Sequence, residues 1–110
     1  MKTHILCLGD SNTHGYCADP NDCADHGIRF NEEERWTCRL QKALGDEYLV
    51  TEEGLSGRTT VFVDPIHESM DALSVIYALL KSHEVTDPFL IMLGTNDVKH
   101  RLGAHAACIA

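Results

Sequence analysis

HILCLGDS, residues 4–11, is a mostly apolar run that ends in a glycine, an aspartate and a serine. A short apolar run of this kind is typical of a buried strand, and we predict the first strand at about His4–Leu8. Two more runs predict strands at about Glu47–Thr51 and Phe89–Leu93, and the third is apolar throughout, as in a central strand covered on both faces. Helix-like stretches separate the three runs, the pattern of a parallel α/β sheet.

Two helices are expected between these strands. The first should begin after Asn31 as its N-cap, with Glu34 completing a capping box, and end at Gly45. The second should cover about Ser69–His83. Its apolar residues recur at the spacing i, i+3, i+4 and i+7 that is typical of a helix, at Leu73, Ile76, Tyr77 and Leu80.

The turn after each predicted strand combines glycine with polar residues. These turns are Gly9–Asn12, Gly54–Gly57 and Gly94–Asp97. The carboxyl ends of parallel strands share one edge of the sheet, and ligands of open α/β sheets bind there. We therefore predict that the three turns converge on one crevice.

The residue types in these turns suit acyl chemistry. Ser11, exposed by a tight turn, can act as a nucleophile once a base takes its proton. Asp10 can brace that turn by accepting backbone N–H bonds. The Asn96 amide and the N–H groups of Ser11 and Gly57 can donate to an oxyanion. Each turn alone also fits a plain helix cap or bend, but their joint occurrence favours a catalytic site.

At these positions the chain resembles the SGNH (GDSL-type) hydrolases. Gly9–Ser11 resembles the first block of that family, Gly57 the second and Gly94–Asp97 the third, and the arylesterase/acyltransferase branch is the most similar. The resemblance implies an α/β, three-layer flavodoxin-like parallel sheet. This chain would hold only its first three strands, in the order 2-1-3, with flanking helices.

The resemblance also implies roles for single residues. Ser11 would be the nucleophile, and Ser11, Gly57 and Asn96 would form the oxyanion hole, with Asp10 and Asp97 in support. A general-base histidine and its aspartate belong to a later Asp-x-x-His block, which we expect to be absent here. We regard His14 as a residue of the surface or pocket wall rather than as a substitute base.

The function these features favour is a serine esterase that acts on short-chain acyl, carbohydrate-acetyl or aryl esters, with acyl transfer as a variant. Residues 1–110 would form a single domain, the truncated N-terminal part of such a hydrolase, with weak activity or none alone. The alternatives are a non-catalytic α/β ligand-binding domain and a fragment without function. We expect no cofactor, since glycine-rich nucleotide motifs are missing, and no metal, since neither C-x-x-C nor H-E-x-x-H occurs.

Charge and cysteine content limit the partners. Nine Lys and Arg against 17 Asp and Glu give a net charge of −8, which argues against nucleic acid and membrane surfaces. Five irregularly spaced cysteines and the lack of a signal peptide favour the cytoplasm. A third strand without an outer neighbour would expose an apolar edge, so we expect a homo-oligomer or self-association there. A monodisperse monomer in solution would contradict this expectation.

Overall fold

The computed structural model of the chain describes residues 2–61, 71–83 and 86–96. Three parallel strands form one sheet in the order β2-β1-β3, with β1 at Thr3–Gly9, β2 at Tyr48–Gly54 and β3 at Thr86–Met92. Helices flank this sheet. The predicted α/β class and the 2-1-3 strand order are therefore confirmed.

The central strand of this sheet is β1. Its side chains from Ile5 to Leu8 are at most 6% exposed, which makes them the largest continuous part of the core. In β3, by contrast, Leu90, Ile91 and Met92 are 39%, 56% and 50% exposed. Within the described residues β3 pairs only with β1, and a central position of the third strand in a larger sheet stays a prediction. Self-association through its edge stays a prediction.

The described helices are short. They are α1 at Ser11–His14, α2 at Trp36–Leu44 and α3 at Leu73–Ser82, and a 3-10 turn lies at Pro20–Asp22. Of the helices in the described part of the chain, the longest has ten residues, and none has the length and apolarity to cross a membrane.

The predicted start of the first long helix is wrong. Asn31 Oδ1 accepts a hydrogen bond from Glu33 N–H in a turn that precedes α2, and the helix itself begins at Trp36. The Glu34 carboxylate binds Ala24 N–H instead of completing a capping box. The predicted end is confirmed, because Gly45 has φ +81° and its N–H closes the helix.

The second long helix is present as α3, but the apolar residues at helical spacing are mostly exposed. Leu73, Tyr77 and Leu80 are 61%, 73% and 42% exposed, and of the four only Ile76 is half-buried. The helix is apolar on nearly every side, so its periodicity cannot select the inner face. It starts at Leu73, where the buried Asp71 side chain accepts the Ser74 N–H, and Ser69 lies outside the described residues.

The three strands end level with one another. Gly9, the last residue of β1, lies opposite Gly54 in β2 and Met92 in β3. A side chain on Gly9 would overlap the Thr13 side chain, and one on Gly54 would overlap the backbone of Thr13 and His14. These two glycines therefore let α1 pack directly against the carboxyl ends of β1 and β2.

Candidate active site

The first turn places Ser11 at the start of α1. Asp10 is 2% exposed and caps this helix, since its Oδ1 accepts the Asn12 N–H at 3.0 Å. The Asp10 carbonyl accepts the His14 N–H at 2.9 Å. The bracing bond predicted for Asp10 is thus present. Ser11 is half-buried, and within the described residues its own N–H has no acceptor.

The second turn owes its shape to Gly57. Arg58 N–H donates to Leu55 C=O at 3.1 Å, and Gly57 occupies the third position with φ +87°. This is the arrangement of a type II turn, which favours glycine at that position. A Cβ on Gly57 would meet no protein atom within 4 Å, so the backbone conformation, not crowding, calls for glycine. Like Ser11 N–H, Gly57 N–H has no acceptor within the described part of the chain.

Hydrogen bonds join the three turns. Leu55 N–H donates to the Gly9 carbonyl at 3.2 Å, which links the second turn to the end of β1. Asn96 Nδ2 donates to the Arg58 carbonyl at 3.1 Å, which links the third turn to the second. One N–H of the Asn96 amide is used in this way and the other stays unpaired within the described residues. Asp97 lies outside those residues.

An acyl-transfer site needs a nucleophile for the carbonyl carbon and hydrogen-bond donors for the carbonyl oxygen. Ser11 begins α1 with its backbone N–H unpaired within the described residues. The Gly57 N–H, also unpaired there, belongs to a turn that is hydrogen-bonded to the end of β1 and to Asn96. Fixed donors of this kind can stabilise the negative charge of a tetrahedral intermediate. The catalytic roles of Ser11, Gly57 and Asn96 themselves stay predictions.

The sequence matches one known protein family over most of its length. Residues 7–109 match the model of the GDSL-like lipase/acylhydrolase family. The chain belongs to this family. No curated protein sequence matches it.

Several solved structures are similar to this family member. The aryl esterase of M. smegmatis is 37% identical, with a TM-score of 0.87 over 97% of this chain and 49% of its own. A carbohydrate acetylesterase from Sinorhizobium meliloti is 36% identical, with a TM-score of 0.88 over 98% of this chain and 49% of its own. An SGNH-hydrolase family esterase is 25% identical, with a TM-score of 0.63 over 88% of this chain and 42% of its own. The chain therefore spans about half the length of the solved structures it matches.

The general base of this GDSL-like chain is not assigned. The expectation that it lacks an Asp-x-x-His sequence is wrong, because Asp64 with His67 and Asp97 with His100 both have this spacing. Both pairs lie outside the described residues. His14 is half-buried, and no described carboxylate forms an ion pair with its imidazole.

A charged cluster links β2 to the loop between α1 and α2. Arg35 forms a two-pronged ion pair with Glu52, at 2.8 Å and 3.2 Å, and also donates to the Phe30 carbonyl at 2.9 Å. Thr37 Oγ1 donates to the same carboxylate. The Arg35 side chain also lies against Gly15, the residue that ends α1. The sequence analysis missed this cluster, since nothing in local spacing pairs residues 35 and 52.

The cluster should make the stability of the fold depend on pH. Burial alone raises the pKa of Glu52, but hydrogen bonds from Arg35 and Thr37 and the charge of Arg35 outweigh it and lower the pKa below the usual 4.5. A lowered folded-state pKa stabilises the fold above the unfolded value, and this contribution disappears as the pH falls through the folded value.

We expect Glu52→Gln to lose about 2 kcal/mol of unfolding free energy at pH 7. This is less than the roughly 3–5 kcal/mol for breaking a fully buried pair, because the Glu52 side chain is 25% exposed. The loss should shrink as the pH falls below the unfolded value of 4.5 and through the lowered folded pKa, where the wild-type carboxylate also becomes protonated. Urea unfolding at several pH values measures it, with exposed Glu47→Gln as control. A loss of equal size at every pH would contradict the assignment.

The acidic loop at residues 19–25 is the place where a cation would be sought. Within the described residues, no group of three His, Cys, Asp or Glu side chains is arranged to hold a metal ion. Asp19 Oδ1 accepts the Asn21 N–H, and Asp25 accepts from Asn31 Nδ2, so both carboxylates already serve the loop itself.

Proposed function

We propose that this chain carries the acylation site of a serine esterase, with Ser11 as the nucleophile. The observation that supports the proposal is the hydrogen-bonded set of three turns, which carries Ser11, Asn96 and the N–H groups of Ser11 and Gly57 that are unpaired within the described residues. The family match and the aryl esterase and carbohydrate acetylesterase neighbours support the same chemistry. The substrates we propose are short-chain acyl esters of carbohydrates or aryl alcohols.

The proposed reaction has two steps. Ser11 Oγ adds to the ester carbonyl carbon while a base takes its proton, and the resulting oxyanion accepts hydrogen bonds from Ser11 N–H, Gly57 N–H and Asn96 Nδ2. The carbon–oxygen bond to the alcohol then breaks, and the alcohol leaves with the proton. Water, or a second alcohol in acyl transfer, attacks the acyl-serine and regenerates the hydroxyl.

A reaction that reports directly on Ser11 and its oxyanion donors is the sharpest test of this proposal. The oxyanion hole without a positioned base retains only residual catalysis over water. Covalent capture is therefore a better test than turnover, because a single slow event at Ser11 can be accumulated and located.

The test is labelling with a fluorophosphonate in excess, followed by mass spectrometry of the modified peptide. We expect a polypeptide with this sequence to be labelled at Ser11 and Ser11→Ala to stay unlabelled. Ser56→Ala is the matched control, because Ser56 is an exposed serine of the neighbouring turn. If the folded wild type is unlabelled at Ser11, or equally labelled at Ser56, the esterase proposal fails and the ligand-binding alternative gains.

A further inference from the structure

Arg58 is a buried cation at the centre of the three turns. The residue is 7% exposed. Its Nη1 donates to the Glu53 carbonyl at 2.6 Å and makes a longer contact of 3.5 Å with the Gly9 carbonyl. Its Nε is buried without an acceptor, and within the described residues no carboxylate lies in ion-pair distance. Burying a guanidinium without a carboxylate partner costs folding free energy. Its burial here therefore calls for a structural explanation.

The main chain of Arg58 connects the second turn with the third. Its N–H closes the second turn on Leu55, and its carbonyl accepts the Asn96 side-chain amide. The same residue therefore bonds to the ends of β1 and β2 through its side chain, and to the second and third turns through its backbone.

We propose that Arg58 is a positioning residue, whose guanidinium fixes the second turn against the ends of β1 and β2 and so orients the Gly57 N–H and the Asn96 amide. That these two groups donate to an oxyanion rests on the proposed esterase function. Whether the Arg58 guanidinium fixes the second turn can be tested even if the chain cleaves no ester.

Arginine suits this task better than lysine. Its planar fork carries several N–H groups in fixed directions, so one side chain can reach carbonyls of two strands, whereas an ammonium is a single point on a flexible stem. Burial lowers the pKa of Arg58, and the nearby Glu53 charge partly offsets this. An arginine stays protonated at neutral pH even so, and the positive charge remains beside the two carbonyls.

The experiment compares Arg58→Met and Arg58→Lys with Arg35→Lys in ¹⁵N-labelled protein. Arg35 is the matched control, a half-buried arginine that also bonds a carbonyl but touches none of the three turns. We expect Arg58→Met to shift the Gly57 amide and the Asn96 side-chain amide resonances, and to speed solvent exchange of the Asn96 amide about tenfold. Arg58→Lys should give a smaller change of the same kind, and Arg35→Lys neither.

Fluorophosphonate labelling gives the second measurement. In Arg58→Lys the maximal rate of Ser11 modification should fall severalfold, with the reagent concentration for half-maximal rate unchanged. Unchanged Gly57 and Asn96 resonances in a folded Arg58 variant would overturn the inference. Should Arg58→Met fail to fold, Arg58→Lys decides it. A wild type inert at Ser11 overturns the esterase proposal alone, since the resonance comparison does not use that reaction.

Discussion

Asn96→Ala should lower the maximal rate of Ser11 acylation by about 10²–10³-fold, the usual effect of removing one oxyanion-hole donor. The Asn96 amide donates one hydrogen to the Arg58 carbonyl, which holds the side chain in place. In the proposed site the second hydrogen would bond to the developing oxyanion. A donor held before the reaction begins needs no reorganisation when charge appears on the carbonyl oxygen. Alanine removes both hydrogens at once.

The measurement is the dependence of Ser11 phosphonylation or acetylation on reagent concentration. The maximal rate should fall and the half-saturating concentration should stay nearly constant, because the donor acts mainly in the transition state. Asn12→Ala is the control, since Asn12 is exposed on α1 and takes part in the first turn through its backbone N–H. A thermal melt of each variant separates lost catalysis from lost structure. Equal rates for Asn96→Ala and Asn12→Ala would remove Asn96 from the site.

Local sequence was sufficient to predict the sheet and the turns. The apolar run before Gly9 and the polar residues after it predict both a buried strand and a sharp exit, because burial and turn chemistry are properties of adjacent residues. Parallel strand order then places the three turns at one edge. The family resemblance added the 2-1-3 order, which the sheet confirms.

Properties that depend on distant partners were not predicted. The start of α2 moved from Asn31 to Trp36, and Glu34 binds a loop amide ten residues away instead of its own helix. The inner face of α3 does not follow from its sequence, because the helix is apolar nearly all round. Arg58 was passed over because its importance lies in carbonyls of β1 and β2, one of which is 49 positions away.

Gly54→Ala should cost about 3 kcal/mol or more of unfolding free energy, at or above the upper end for an overpacked site. A Cβ on Gly54 would overlap the amide nitrogen of His14 and the carbonyl carbon of Thr13, both backbone atoms of α1. A flexible side chain could rotate away, but a backbone can move only with its helix. Since α1 carries Ser11, any movement that relieves the overlap also displaces the nucleophile from the Gly57 turn.

Substitutions at two other glycines distinguish the cost of crowding from the cost of an unfavourable backbone conformation. Gly27→Ala and Gly45→Ala each add a Cβ that meets nothing within 4 Å, and of these two only Gly45 has a positive φ, +81°. Gly27→Ala should be nearly neutral, and Gly45→Ala should cost about 1 kcal/mol. Urea unfolding of the three variants gives the order, and Ser11 labelling should slow most in Gly54→Ala. If Gly54→Ala is as stable as Gly27→Ala, α1 does not pack on the end of β2 as described, and the nucleophile is not held there by this contact.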